Sequence, residues 1–325
     1  MLVATDRSDL RAVVDASCLA FAGTLDIRTD VLWVEVDDGL ALCRELVEKV
    51  PRHEDQLDIQ LAWSAAESTI DQLMRAAIAS TSLADVAQQL ELDALAANPP
   101  IYEVRYQPII RLDDHTVVGF ESLIRARQGK QLLDAEALIA RASRGGWLDD
   151  FDQLGRSLAI GGVGTWLGEG LLFLNVMAVD GTFDVPAITG LINRATTAGL
   201  DADQIVLETS ERNRYVSLDD AAAQLATLRE LGVRIAVDDV GDGYSSLAAV
   251  AAFEPDIVKI TGSLISRLPG KAAASVIDAV VSLAHDSGAW VIGENIESRA
   301  QAEALRDAGV DWGQGNFLGV PETQS

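Results

Sequence analysis

Along the C-terminal two-thirds of the chain, apolar runs of strand length alternate with longer stretches of helical periodicity, and six of the runs end on polar residues. They read VVGF before Glu121, LLFL before Asn175, IVL before Glu208, RIAV before Asp238 and Asp239, DIV before Lys259, and WVIG before Glu294. Near-continuous apolar strands separated by helices predict repeated strand–helix units around a mostly parallel sheet. Eight strands are expected, beginning near 102, 116, 171, 204, 233, 256, 290 and 309. The first two are joined only by the turn-like RLDDH, which is too short for a helical crossover, so they are expected to pair antiparallel.

Upstream, residues 1–97 read as a small mixed α/β or mostly helical module. Helices are expected near 7–20 and 38–50, strands near 31–36 (VLWVEV) and 57–63 (LDIQLAW), then helices near 65–80 and 83–97. The run Asn98-Pro99-Pro100 marks a boundary, because proline cannot continue a helix and holds the preceding residue extended. The expected organisation is a regulatory or sensor module over 1–97 and a barrel domain over 98–325. Within the α/β class, the predicted architecture is a TIM-like (β/α)8 barrel with one antiparallel strand. The stretch SLADVAQQLELDALA has the look of a helix-turn-helix but lacks basic residues to meet phosphates, and reads better as a connecting helix.

Charge narrows the partners. The chain of 325 residues carries 50 acidic residues against 25 Lys and Arg, a formal net charge of -25, which repels a nucleic-acid duplex. A small phosphorylated ligand remains compatible, since cations held by acids invert the local field. No apolar stretch approaches a membrane span, and Met1 is not followed by a basic segment and an apolar run, so a cytoplasmic location is expected. Cys18 and Cys43 lack CxxC spacing and read as ordinary thiols. His53, His115 and His285 have no partner at ligand spacing.

In a barrel of this kind, functional groups gather where strands end on the C-terminal face, so the polar terminators are expected to share one mouth. Glu121, Glu208, Asp238, Asp239 and Glu294 would crowd five carboxylates together there, an arrangement that needs cations or protons to neutralise it. Oxygen donors, including the Asn175 amide and with no His or Cys in reach, favour Mg2+ or Mn2+ over zinc. Two such ions form a clamp for in-line displacement at phosphorus, with Lys259 orienting water or neutralising phosphoryl charge.

The segment from about Ile101 to Pro321 resembles the EAL domain, the cyclic di-GMP phosphodiesterase family. The resemblance is carried by YQPII at 106–110, GFESLIR at 119–125, LFLNV at 172–176, LETSE at 207–211, DDVGDGYSSL at 238–247, DIVKI at 256–260, GENIES at 293–298 and QGNFLGVP at 314–321. It implies metal ligands at Glu121, Asn175, Glu208, Asp238 and Asp239. Glu294 falls on an acidic position that supports a metal or its water, and Lys259 on the catalytic lysine. Gln107, Arg125 and Gln314 fall in substrate-contacting motifs, and Glu211 where a glutamate holds the loop after Asp239. It further implies hydrolysis of cyclic di-GMP to linear 5′-phosphoguanylyl-guanosine, a homodimer, and control by the attached module, which could also dock a protein partner. A catalytically weak receptor for the same dinucleotide is the alternative reading. Departures from the family pattern are Ser122 for alanine, Val240 for an aromatic residue, Asp242 for Thr or Ala, Thr261 for aspartate and Asn295 for glycine.

Overall fold

A computed structural model describes residues 2–4, 8–21, 24–28, 31–35, 39–50, 55–56, 59–62, 81–86, 99–144, 146–179, 181–210, 215–241 and 246–324. The chain divides into two compact units, Met1–Ile101 with Ala126–Phe151, and Tyr102–Arg125 with Asp152–Ser325.

The first unit holds a five-stranded antiparallel sheet in the order β2-β3-β1-β4-β5. Its strands are β1 (Leu2–Ala4), β2 (Thr24–Arg28), β3 (Val31–Glu35), β4 (Gln60–Ala62) and β5 (Thr81–Ser82). Helices α1 (Ser8–Phe21) and α2 (Gly39–Lys49) bring Leu10, Val14, Leu42 and Leu46 against Val3, Ile59 and Leu61. The sequence anticipates α1, β3, α2 and β4. It misses β1, β2 and β5, which are too short to show more than one or two turns of alternation. Of the helices expected near 65–80 and 83–97, only Leu83–Val86 lies among the described residues, and it is helical. Ser82 and Asp85 open it by bonding each other's backbone N–H, at 3.1 and 3.2 Å.

The second unit is built on a closed eight-stranded barrel. In chain order its strands are β6 (Ile101–Arg111), β7 (Val117–Gln128), β9 (Leu171–Asn175), β10 (Ile205–Ser210), β11 (Arg234–Val240), β12 (Ile257–Ile260), β13 (Trp290–Gly293) and β14 (Trp312–Gly313). Spatially they follow β6-β14-β13-β12-β11-β10-β9-β7, and β6 pairs with β7 to close the ring. Every neighbouring pair from β7 round to β14 is parallel, whereas β14 meets β6 antiparallel. The reversed strand is therefore β6, as the short RLDDH turn requires. Past Arg125, in the stretch grouped with the first unit, β7 turns into a hairpin with β8 (Gln131–Leu133), in register Ala126↔Leu133.

Helices α3 (Ala135–Arg144) and α4 (Leu148–Gly161) follow that hairpin. The barrel's outer layer then comprises α5 (Val185–Thr197), α6 (Leu218–Arg229), α7 (Ser246–Phe253), the single turn α8 (Gly262–Ile265), α9 (Lys271–Asp286) and α10 (Arg299–Asp307). Asp184, Ser217 and Ser298 cap α5, α6 and α10 by accepting from a backbone N–H inside the first turn. Strand alternation sorts the core into two layers. Leu172, Leu174, Val258 and Ile260 face outward onto the helices, and Ile109, Phe173, Val206, Ala236, Ile257, Ile292 and Trp312 fill the barrel interior. Among the described residues no helix is long and apolar enough to cross a membrane.

Candidate active site

One step along each strand beyond the interior apolar layer, the inward positions turn polar. Phe173 is followed two residues later by Asn175, Val206 by Glu208, Ala236 by Asp238, Ile257 by Lys259, Ile292 by Glu294 and Trp312 by Gln314. A spacing of two keeps a side chain on the same face of its strand, so the apolar plug and the polar layer are stacked by the strand repeat itself. On the reversed strand the order inverts, and Gln107 stands two residues before Ile109.

Lys259 lies at the centre of this layer, with no solvent exposure. Its Nζ is 2.9 Å from Glu208 Oε1 and 2.9 Å from Glu294 Oε1, 3.4 Å from Glu121 Oε2 and 3.6 Å from Asp238 Oδ1. Burial pulls the Lys259 pKa down, but the charges of Asp238, Glu121, Glu208 and Glu294 outweigh it and hold the ammonium well above its ordinary value. Burial pushes the Glu208 carboxyl well up against the pull of Lys259, with Glu121 and Asp238 adding to the rise. Glu294 is raised in the same way, by burial first and then by Asp238.

Glu121 collects three donors. Gln314 Nε2 donates to Oε2 at 2.6 Å, Asn175 Nδ2 to Oε1 at 3.2 Å, and Lys259 to Oε2 at 3.4 Å. Gln314 also donates to Gln107 Oε1 at 3.2 Å, and Gln107 donates onward to Gly319 O at 3.0 Å. An amide chain thus links β7, β14, β6 and the C-terminal segment.

The adjacent residues Asp238 and Asp239 reach the same site by a break in strand geometry. The pairing of β11 with β12 shifts register between Val237 and Val240, and Asp239 adopts φ 60°. A regular strand would send neighbours to opposite faces, whereas this bulge with its left-handed residue turns both carboxylates one way. Asp239 N donates to Asp238 Oδ1 at 2.8 Å, and Ser210 Oγ donates to Asp239 Oδ2 at 3.2 Å. Asp238, Asp239 and Glu294 each offer an oxygen within 4.8 Å of the others.

The residues present fit hard divalent cations. Both Glu208 oxygens and Gln314 Oε1 are sealed from solvent without a hydrogen bond. The 2.9 Å approach of Lys259 to Glu208 is a charge contact that lacks hydrogen-bond alignment. Four carboxylates surround one ammonium and Asp239 adds a fifth beside them, which leaves four negative charges to be met by protons or cations, and the donors are all oxygen.

Other expected residues fall as follows. Arg125 donates to Ile124 O at 2.8 Å and, four residues beyond Glu121 on β7, shares its strand face. Glu211 and Asp242 lie outside the described residues. Ser122 points away from Glu121 and donates to Phe173 O at 2.9 Å. Val240 is fully buried in the main core, and Thr261 replaces an aspartate without loss of capping, since its Oγ1 accepts from Ser263 N at the start of α8. Asn295 takes φ 50°, where glycine is easiest, and its side chain fills the space beside Gly262. A Cβ at Gly262 would fall 2.5 Å from the Asn295 Cβ, so the two positions are matched. Cys43 is a buried thiol in the first unit's core, and His285 pairs with Asp311 at 2.9 Å, ahead of β14. Sequence reading missed Ser210, whose hydroxyl meets Asp239, and Tyr215, whose hydroxyl braces the end of β10; nothing in the strand pattern marks either.

A (β/α)8 barrel with a reversed strand and an acidic, lysine-centred mouth defines the class. The family model described as EAL domain matches residues 71–321, and the chain belongs to that family. Cyclic di-GMP phosphodiesterase NbdA of Pseudomonas aeruginosa is 29% identical over 230 residues, covering 67% of this chain and 29% of that protein. An EAL domain protein of Listeria monocytogenes, known as a crystal structure, superposes with TM-score 0.60 at 28% identity, covering 72% of this chain and 94% of its own. A standalone versatile EAL protein of Vibrio cholerae, in its c-di-GMP bound form, gives TM-score 0.58 at 26% identity over 69% of this chain and 93% of its own. The chain spans under a third of the length of the curated relatives it matches first, 27%, 27% and 29%.

Proposed function

We propose that this chain hydrolyses cyclic di-GMP to linear 5′-phosphoguanylyl-guanosine with two divalent cations, Mg2+ or Mn2+. Glu121, Asn175, Glu208, Asp238 and Asp239 would hold them. The observation that carries the reading is the enclosure of Lys259 by four carboxylates at 2.9 to 3.6 Å, with solvent-free Glu208 oxygens that lack a hydrogen bond. The names of NbdA and of the Vibrio structure support the choice of dinucleotide. When bound, the cations would neutralise the acids and polarise the phosphodiester and a neighbouring water.

The chain's own residues divide the remaining work. Glu294, 2.9 Å from Lys259 at the mouth, orients the water and accepts its proton as the new O–P bond forms and the P–O3′ bond breaks, and the released alcohol takes a proton from solvent. Lys259 meets charge developing on the phosphoryl oxygens. Arg125 pairs with a ligand phosphate, Gln107 and Gln314 orient substrate through their amides, and Glu211 steadies the loop after Asp239. Dimerisation, regulation by the N-terminal module and any protein docked on that module belong to the same proposal.

Incubation of the full chain with cyclic di-GMP and Mg2+ or Mn2+ should yield the linear dinucleotide, and Glu121→Ala should abolish it. Tight binding without turnover would replace the enzyme by the receptor reading. Unchanged turnover in the Glu121 variant would overturn the site.

A further inference from the structure

Asp239 is held in a left-handed backbone conformation, at φ 60°, on a bulge. For a residue with a side chain that conformation is sparsely populated and persists where neighbours fix it. Contacts from β10 are among those that hold it. Ser210 pairs in register with Asp238, and its hydroxyl donates to Asp239 Oδ2 at 3.2 Å. Ser210 is gripped in turn by Tyr215. The Tyr215 hydroxyl donates to Ser210 O at 3.1 Å and shares a 2.7 Å hydrogen bond with Thr209 Oγ1. The tyrosine ring is wedged between two buried phenylalanines of the outer layer, with centroids 5.9 Å from Phe183 and 5.3 Å from Phe253, the latter edge-on. Val216 N, on the next residue, donates to Gly181 O at 3.3 Å.

We propose that Tyr215 is a positioning residue for Asp239, acting through the Thr209–Ser210 segment that its hydroxyl grips. The ring is anchored in the helical layer and the hydroxyl sets the last two residues of β10. Ser210 then aims the Asp239 carboxylate toward Asp238 and Glu294. This rests on the metal-site reading above and extends it from the ligands to what aims them. Partners that orient ligands from behind typically change metal affinity by about 10- to 100-fold when removed.

Calorimetric titration of the full-length chain with Mn2+ tests it. Tyr215→Phe keeps the ring and loses the hydroxyl, and is expected to weaken Mn2+ binding about tenfold. Ser210→Ala should act in the same direction, Ser210→Thr should stay near the parent, and adding Tyr215→Phe to Ser210→Ala should weaken binding no further, as one route requires. A lowered melting temperature in Tyr215→Phe with parental Mn2+ affinity would overturn the inference alone, provided Glu121→Ala loses binding. Additive losses would overturn the route through Ser210. No Mn2+ binding by the unsubstituted chain would defeat the inference together with the functional reading.

Discussion

Gln314 donates its amide to Glu121 Oε2 at 2.6 Å and so ties the last strand of the barrel to the second. The bond is charge-assisted and buried, of the kind that contributes roughly 1.5–3 kcal/mol. Gln314→Glu would put a further carboxylate against Glu121. The expected outcome in chelator is a barrel less stable by about 2 kcal/mol or more, read by urea denaturation, with much of the loss recovered on adding Mn2+.

Lys259 supplies the sole ammonium contact to the four carboxylates around it among the described residues. Lys259→Met would leave those acids without their counter-ion, a change of the kind that costs about 3–5 kcal/mol in a buried pair. Thermal melting should show a large drop in chelator and a larger Mn2+-dependent rise than in the parent. Turnover should fall by about two to three orders of magnitude, on the scale of losing one transition-state donor. A metal-free melting temperature equal to the parent's would contradict the counter-ion role.

Tyr106 gives a pH prediction away from the acids. Its hydroxyl donates to Ala159 O at 2.7 Å, and burial pushes its pKa up from 10 to about 12. A raised folded value means the neutral phenol is favoured by folding. Its stabilisation is therefore complete below pH 10 and is lost as pH rises from 10 through about 12. The shift corresponds to roughly 2–3 kcal/mol at the alkaline limit. Tyr106→Phe should be less stable by about 1 kcal/mol at pH 7, and the gap to the parent should narrow in denaturation curves taken above pH 10. A gap constant with pH would show that the hydroxyl is not held as described.

Asn295 and Gly262 compete for one space, which predicts a coupled pair. Gly262→Ala alone should destabilise the barrel, because the new Cβ meets the Asn295 side chain. Asn295→Gly alone should be close to neutral, since relief of the left-handed backbone offsets the greater freedom of the unfolded chain. Together they should recover about 0.5–3 kcal/mol of the loss, measured as a double-mutant cycle. Simple additivity would separate the two sites.

Much of the barrel could be read in advance because its strands are apolar on both faces and punctuated by helices. The expected starts near 102, 116, 171 and 290 lie within one residue of observed strand starts at Ile101, Val117, Leu171 and Trp290. The reversed strand was legible from loop length alone. The terminators Asn175, Glu208, Asp238, Lys259 and Glu294 were legible because each sits two residues beyond an interior apolar side chain, a distance the strand repeat converts into a shared face. What escaped depends on three-dimensional detail. The pattern places Asp239 in the mouth beside Asp238 but does not encode the register shift and left-handed backbone that bring it there. Ser210 and Tyr215 act through hydroxyls, whose partners the residue pattern does not encode. The two-residue β5 and three-residue β1 and β8 are made by pairing rather than by any periodicity of their own.

The bulge between Val237 and Val240 sets a rule of arithmetic for descendants of this sequence. Side chains around it can drift while the count of residues stays fixed, because one deletion would restore ordinary pleating and swing an acid out of the mouth. Copies that lose the shared placement of Asp238 and Asp239 are expected to do so by indels as readily as by replacing an aspartate, and a length polymorphism there would mark such a copy before any assay.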